Sequence, residues 1–252
     1  MTSPLRALRA AFVFLTRIPV GGFPYTPDEW RWASAFFPFV GAAVGAAVGV
    51  VLRALQPVGP SGAAYLALGA SLLLTGAFHE DGFADTSDAL GGGADRAKVF
   101  AILKDSRIGT FGACALVVSV AGRASLLAHA GPRGAWALVF VGAIARTAPV
   151  WQMVALPYAT PEGSKSRDVT RAGAAQALVA SACTLAIGAA LAAGRLLDPW
   201  RAAGAVALSA LVGVVTALRF KARVGGVTGD FLGATEQLCE LAGLAVIAWS
   251  RS

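Results

Sequence analysis

The chain has 252 residues, of which 56% are hydrophobic and only 14% charged, and its mean hydropathy is +0.66. Soluble domains carry about 25% charged residues, so a water-soluble globule is excluded: it would expose far more contiguous apolar surface than such proteins tolerate. The net charge of +7 does not mark a nucleic-acid partner, because no basic run is interleaved with the aromatics that a strand-binding groove needs; basic loops on an apolar chain set topology and meet anionic lipid.

Residues 1–30 carry Arg6, Arg9 and Arg17 among apolar residues and read as an interfacial segment. They lack the continuous apolar core and small-residue cleavage site of a removed leader. Seven stretches then approach the roughly 20 apolar residues that a spanning helix requires: 33–55, 62–78, 108–130, 135–156, 172–193, 202–218 and 231–248. The second is short. The third and fourth contain Arg123 and Arg146, and the last contains Glu236 and Glu240. The 57–62 segment and Pro199 mark turns. Thirty glycines allow helix backbones to approach closely where burial from water no longer drives association. Cys114, Cys183 and Cys239 stand alone without a CxxC, which argues against a disulfide framework or zinc site and for small packing residues. The expected fold is all-α: a polytopic helical bundle of about seven transmembrane helices, forming one membrane-embedded domain over 1–252.

With the N-terminus in the cytoplasm, fourteen of the 21 Lys and Arg residues fall on its side, five on the other, and two within spans. The positive-inside rule therefore predicts that orientation, with the loops near 79–107, 157–171 and 219–230 facing the cytoplasm. The same loops hold nearly all the acids, as one cytoplasm-facing active site requires, and place them at one interface.

Three motifs carry the chemistry. In His79-Glu80-Asp81-Gly82-Phe83-Ala84-Asp85-Thr86-Ser87-Asp88, Asp81, Asp85 and Asp88 follow at i, i+4 and i+7 and share a helix face. Such a triad repels itself unless a cation intervenes, and hard oxygen donors at this spacing suit magnesium completed by phosphate oxygens. His79 reads equally as a base, a phosphate donor or a packed capping residue. In Lys104-Asp105-Ser106-Arg107-Ile108-Gly109, Lys104 and Arg107 can clamp a diphosphate, with Arg107 bidentate, while Asp105 serves as a metal ligand or orients a cation. In Arg223-Val224-Gly225-Gly226-Val227-Thr228-Gly229-Asp230, a glycine-rich approach offers backbone amides to phosphate. From Asp230, positions 233, 237 and 240 continue one face with Gly233, Gln237 and Glu240, while Glu236 points elsewhere. Arg146, mid-span, needs a partner or a cavity. Arg17-Ile18-Pro19 is an interfacial turn or an anchor. There is no GxxxxGK[ST], GxSxG or HExxH. The residues alone therefore indicate magnesium-assisted phosphoryl transfer, resting on positioning and charge neutralisation.

These motifs resemble the adenosylcobinamide-GDP ribazoletransferase (cobalamin synthase) family. The resemblance runs nearly end to end, from Phe14-Leu15-Thr16-Arg17-Ile18-Pro19-Val20 and Phe37-Pro38-Phe39-Val40-Gly41, through His79-Glu80-Asp81-Gly82-Phe83-Ala84-Asp85 and Lys104-Asp105-Ser106-Arg107-Ile108-Gly109-Thr110-Phe111-Gly112. It continues in Ala145-Arg146, Pro157-Tyr158-Ala159 and Gly225-Gly226-Val227-Thr228-Gly229-Asp230. Phe83 and Ala89 depart from the leucine and glycine common at those places, and neither removes a polar group. The resemblance implies a bacterial inner-membrane enzyme that joins adenosylcobinamide-GDP to α-ribazole or its 5′-phosphate, with Mg2+, and releases GMP. It implies metal ligands among Asp81, Asp85, Asp88, Glu80 and Asp230, and catalytic roles for Asp85, Asp88, His79, Lys104 and Arg107. Arg17, Ser106, Arg146, Thr228, Gly229 and Gln237 are expected on the substrates. Membrane lipid is an expected partner, and a homo-oligomer is compatible with the sequence. The rivals are a CDP-alcohol phosphotransferase of phospholipid synthesis, whose aspartate-rich motif has arginine where this chain has Asp85, and a transporter, which would spread its acids through the bilayer midplane.

Overall fold

A computed structural model describes residues 3–159 and 171–249; Lys165, Arg167 and Arg251 of the charge count lie outside them. The described residues form eleven α-helices: α1 (Pro4–Leu15), α2 (Pro27–Ala33), α3 (Phe37–Ala54), α4 (Pro60–Thr75), α5 (Phe78–Gly92), α6 (Arg96–Leu103), α7 (Thr110–Ala130), α8 (Gly134–Ala155), α9 (Ala174–Ala193), α10 (Pro199–Val224) and α11 (Gly229–Ala248). The only extended pairing among them is an isolated parallel bridge between Tyr158 and Val227.

Local chemistry sets the helix boundaries. Thr26 and Glu29 form a capping box at α2, with Pro27 at its first position, where a missing N–H costs nothing. Asp95, Asp198 and Thr228 accept from the first-turn amides of α6, α10 and α11, satisfying donors that would otherwise be orphaned.

The centre of the bundle is the antiparallel pair α3 and α8. A Cβ on Gly41 would lie 2.0 Å from the Gly142 carbonyl oxygen, one on Gly45 2.1 Å from that of Leu138, and one on Gly49 2.9 Å from that of Ala135. A glycine every fourth residue thus forms a bare stripe on α3 that lets the two backbones touch.

Among the described residues, six helical runs, including the continuous run Pro27–Ala54, are long and apolar enough to cross a membrane, and the bent pair α4–α5 makes seven when counted as one broken span. The short span expected over 62–78 is corrected here: α4 stops at Thr75 and α5 leaves at 93°. Gly76 (φ +69°) and Ala77 (φ +56°) are both left-handed at the break, a conformation that costs a residue with a Cβ roughly 1–2 kcal/mol. Arg17 packs into the corner. Its N–H donates to the Leu74 carbonyl (2.7 Å), and a Cβ on Gly76 would lie 2.2 Å from its Nε. The broken pair still returns the chain to its starting side, because Asp88 of α5 meets the first turn of α7 while the far end of α7 lies beside Leu52 and Gly134. The chain is therefore a polytopic helical membrane bundle. Of the cysteines, only Cys239 is buried, so the packing role expected for all three holds for that one.

Candidate functional site

The first and third sequence motifs converge where α5, α8 and α11 meet, while the second lies on the loop before α7. Gly82 of α5 lies against the Asp230 backbone (3.0 Å to its Cα from a built Cβ), and Gly233 of α11 lies against the His79 carbonyl (3.3 Å). This close approach puts Asp81 and Asp230 on the wall of one cavity of about 120 Å³, together with His79, Arg146, Gly229 and Glu236. Its remaining wall is apolar and includes Phe14, Phe37, Phe78, Pro149 and Met153. The glycine loop before α11 is held from beneath: Val227 N–H donates to the Pro157 carbonyl (2.9 Å) and Ala159 N–H to the Val227 carbonyl (2.8 Å). Two motifs far apart in sequence, at 157–159 and 225–228, are thereby joined.

Below the mouth runs a buried charge network. Arg123 donates from Nη1 to Glu240 Oε2 (2.6 Å) and from Nη2 to Glu80 Oε1 (3.1 Å). Gln237 Nε2 donates to Glu80 Oε1 (3.2 Å) and Glu236 Oε2 (3.0 Å). Arg146 Nη1 donates to the Gly142 carbonyl (3.0 Å) and stands 3.0 Å from Glu236 Oε1, and His79 Nδ1 is 4.0 Å from Glu236 Oε2. These residues sit within helices that cross the membrane. The expectation that the acids gather at one interface is corrected accordingly: the sequence places Arg123 and Glu240 mid-helix, and each charge is retained there by partners from other helices.

The expected site residues separate into groups. Asp81, Asp230, His79, Arg146 and Gly229 come together at the cavity. Asp85 is half-buried, within electrostatic reach of the Asp81, Asp230 and Asp88 carboxylates. Asp88 belongs elsewhere: its Oδ2 accepts from Gly109 N–H (2.7 Å) and its Oδ1 from Gly112 N–H (2.8 Å), so it caps α7 from α5. The i, i+4, i+7 stripe is thus shared between two neighbours, and among the described residues no three His, Cys, Asp or Glu groups converge as a metal cage. Glu80 and Gln237 are network members rather than cavity lining. Thr228 caps α11 and is buried. Arg17 lines a separate groove at the α4–α5 corner.

Lys104, Ser106 and Arg107 are exposed on the loop that leads into α7. Arg107 offers its bidentate edge to Asp105, from Nε to Oδ1 (3.0 Å) and from Nη2 to Oδ2 (2.7 Å). The guanidinium holds the Asp105 carboxyl down at about 2, so Asp105 orients a cation. Glu236, expected to point elsewhere, lines the cavity opposite Arg146. The mid-span Arg146 was the signal for it, since a buried cation demands an acid. Phe14 and Phe37 open two of the segments that carry the family resemblance, but nothing in the sequence places them, with Phe78, on one cavity.

A family model described as cobalamin-5-phosphate synthase matches residues 7–248. A Leptothrix cholodnii protein named adenosylcobinamide-GDP ribazoletransferase is 42% identical over 253 residues, covering 95% of this chain and 92% of its own. An Allorhizobium ampelinum protein of that name is 38% identical, covering 98% of each chain, and one from a Polaromonas species is 35% identical, covering 96% and 97%. No solved structure matches the chain. In agreement with the resemblance carried by its motifs, the chain belongs to the cobalamin-5-phosphate synthase family.

Proposed function

We propose that this protein completes the cobalamin nucleotide loop by joining adenosylcobinamide-GDP to α-ribazole or its 5′-phosphate, giving adenosylcobalamin or its 5′-phosphate and GMP. The relatives' names support adenosylcobinamide-GDP and a ribazole as the substrates. The observation that carries the reading is the pairing of Asp81 and Asp230 with Arg146 around one cavity, a set suited to a diphosphate and its counter-ion. A ribose hydroxyl of the acceptor attacks the phosphorus on the cobinamide side. The bond from that phosphorus to the bridging oxygen breaks, and GMP leaves with the electron pair.

Magnesium fits this donor set. It is characteristically held by one or two carboxylates, waters and substrate phosphates, so Asp81 and Asp230, with Asp85 adjacent, suffice without a closed cage. When bound, it neutralises charge on the transferring phosphoryl group. Asp85 takes the proton of the attacking hydroxyl, since both Asp88 oxygens are engaged by amides and His79 lies deeper, against Glu236. Lys104 receives the GMP-side phosphate at the loop before α7, with Arg107 held ready by Asp105. The buried network keeps α5, α7 and α11 in register, and thus Asp81 opposite Asp230. The balance of basic residues favours placement in a bacterial inner membrane with this site toward the cytoplasm.

The test is GMP release by purified protein in liposomes. GMP should appear only when both substrates are present and should stop on addition of EDTA. Turnover of CDP-linked lipid precursors, with no GMP from the corrinoid donor, overturns the proposal in favour of a phospholipid transferase.

A further inference from the structure

Along α4 runs a groove that the transfer reaction does not use. Its lining includes Arg17, Leu55, Tyr65, Gly69, Leu73 and Gly76. Tyr65, Leu66 and Leu73 are exposed, and a Cβ built on Gly69 would meet nothing within 4 Å, so the floor is bare and the groove opens outward. On a helix of a membrane bundle, outward is toward lipid. From Tyr65 to Gly76 the groove follows α4 for about 16 Å, at a rise of about 1.5 Å per residue. One leaflet takes up half of a hydrocarbon core roughly 30 Å thick. The groove therefore has the length of one acyl chain in one leaflet.

Its end at the α4–α5 corner is cationic. Arg17 is exposed, and its guanidinium lies against the backbone of Gly76, where a Cβ would stand 2.9 Å from both Cζ and Nη2. The Arg17 N–H, donated to the Leu74 carbonyl, fixes its backbone to the same turn. Among the described residues its guanidinium pairs with no acid, whereas Arg6, Arg107, Arg123 and Arg146 each have one. The helix dipole favours a cation at the C-terminal end of α4. That accounts for the place of the charge but not for the apolar trough that starts from it.

We infer that this groove holds one anionic phospholipid, with its phosphate on the Arg17 guanidinium and one acyl chain along α4 toward Leu55. Arginine presents a planar fork of donors that matches phosphate oxygens, and the chain covers the bare floor at Gly69 and Ala70. A zwitterionic lipid offers the same phosphate with a cation beside it, so the lone charge of Arg17 selects an anionic head group. A soluble diphosphate gains nothing from an apolar trough of this length. The assignment moves Arg17 from the substrates, where its motif placed it, to lipid. It goes beyond the transfer reading and does not depend on it, although the two sites are neighbours: Ala77 lines the groove and Phe78 the cavity. The bound lipid braces the corner from which α5 leaves toward Asp81.

Native mass spectrometry of the full chain tests this, from micelles that offer phosphatidylglycerol and phosphatidylcholine in equal amounts. The protein should retain phosphatidylglycerol over phosphatidylcholine by about fivefold or more, the preference that one cation supplies toward an anionic head group. Arg17→Gln should abolish that preference. Arg9→Gln removes another exposed cation of the N-terminal segment and should keep it. Gly69→Phe fills the floor of the groove from a position with open space, leaves Arg17 in place, and should lower phosphatidylglycerol retention as Arg17→Gln does. In a thermal-shift assay, phosphatidylglycerol should raise the melting temperature of the unaltered protein by about 4 °C or more, and inorganic phosphate should not. Equal retention of the two lipids, or a preference that survives Arg17→Gln or Gly69→Phe, would overturn the inference. Loss of the preference in Arg9→Gln would replace it with a diffuse basic surface, and stabilisation by inorganic phosphate with a bare anion site. If Arg17→Gln fails to fold, Gly69→Phe decides. No substrate is present in these measurements, so a failure of GMP release overturns the transfer reading and leaves this one standing.

Discussion

Asp88 separates two accounts of the aspartate stripe on α5. By spacing it is a third metal ligand; in the structure both of its oxygens accept backbone amides of Gly109 and Gly112, at 2.7 and 2.8 Å. Asp88→Asn keeps the shape of the side chain but replaces one acceptor oxygen with an NH2 that confronts an N–H. One bond to a charged acceptor is lost and one amide is left unmatched, which together cost about 2–4 kcal/mol at a site this buried. For a chain of this size each kcal/mol moves the melting temperature by roughly 2–4 °C, so a thermal-shift assay in detergent should read a drop on the order of 5–15 °C. The magnesium concentration for half-maximal GMP release should stay within about twofold of the unaltered protein, since metal ligands and caps are different groups. A variant that melts normally but needs about tenfold more magnesium would show that Asp88 is a ligand, and would refute the reasoning.

Gly45→Val on α3 should abolish folding, because its Cβ would lie 2.1 Å from the Leu138 carbonyl oxygen and backbone on both sides leaves nothing to yield; loss of the monodisperse peak in size-exclusion chromatography reads this. Arg123→Met strands Glu80 and Glu240, so unfolding titrations should show destabilisation by about 3–5 kcal/mol, and adding Glu240→Gln should recover part of it. Asp105 is held down at about 2 by Arg107. A depressed carboxyl contributes its interaction above the ordinary carboxylate range and loses it only as pH falls through the lowered value. Asp105 therefore stays ionised from pH 4 to 7, and Asp105→Asn should leave the acid limb of the pH–activity profile where it was.

The helical class, the number of passes and the motif positions were legible because each depends on local composition. Apolar runs near 20 residues and cation-rich loops reveal themselves without tertiary context. The bend after Thr75 was not legible, since it arises from left-handed Gly76 and Ala77 packed on Arg17, and nothing in an alanine announces such a conformation. The stripe Gly41, Gly45 and Gly49 was present in the sequence as a four-residue repeat and could have predicted the α3–α8 contact. On α5, spacing correctly identifies a shared face but not its division, because Asp88 reaches α7 while Asp81 faces α11. Glu236 was set aside on helical phase alone; its position opposite Arg146 depends on how α8 and α11 pack. The aromatic wall of the cavity belongs to the same category, since Phe14, Phe37 and Phe78 come together only when α1, α3 and α5 pack.

The most direct test of the central claim is the magnesium dependence of GMP release from adenosylcobinamide-GDP and α-ribazole by the protein in liposomes, compared with Asp81→Asn and Asp230→Asn. If these two carboxylates hold the metal for phosphoryl transfer, each variant should fold normally and require about tenfold or more magnesium for half-maximal rate, or lose turnover entirely. Normal rates and an unchanged magnesium requirement in both variants would contradict the claim and move the reaction away from this cavity.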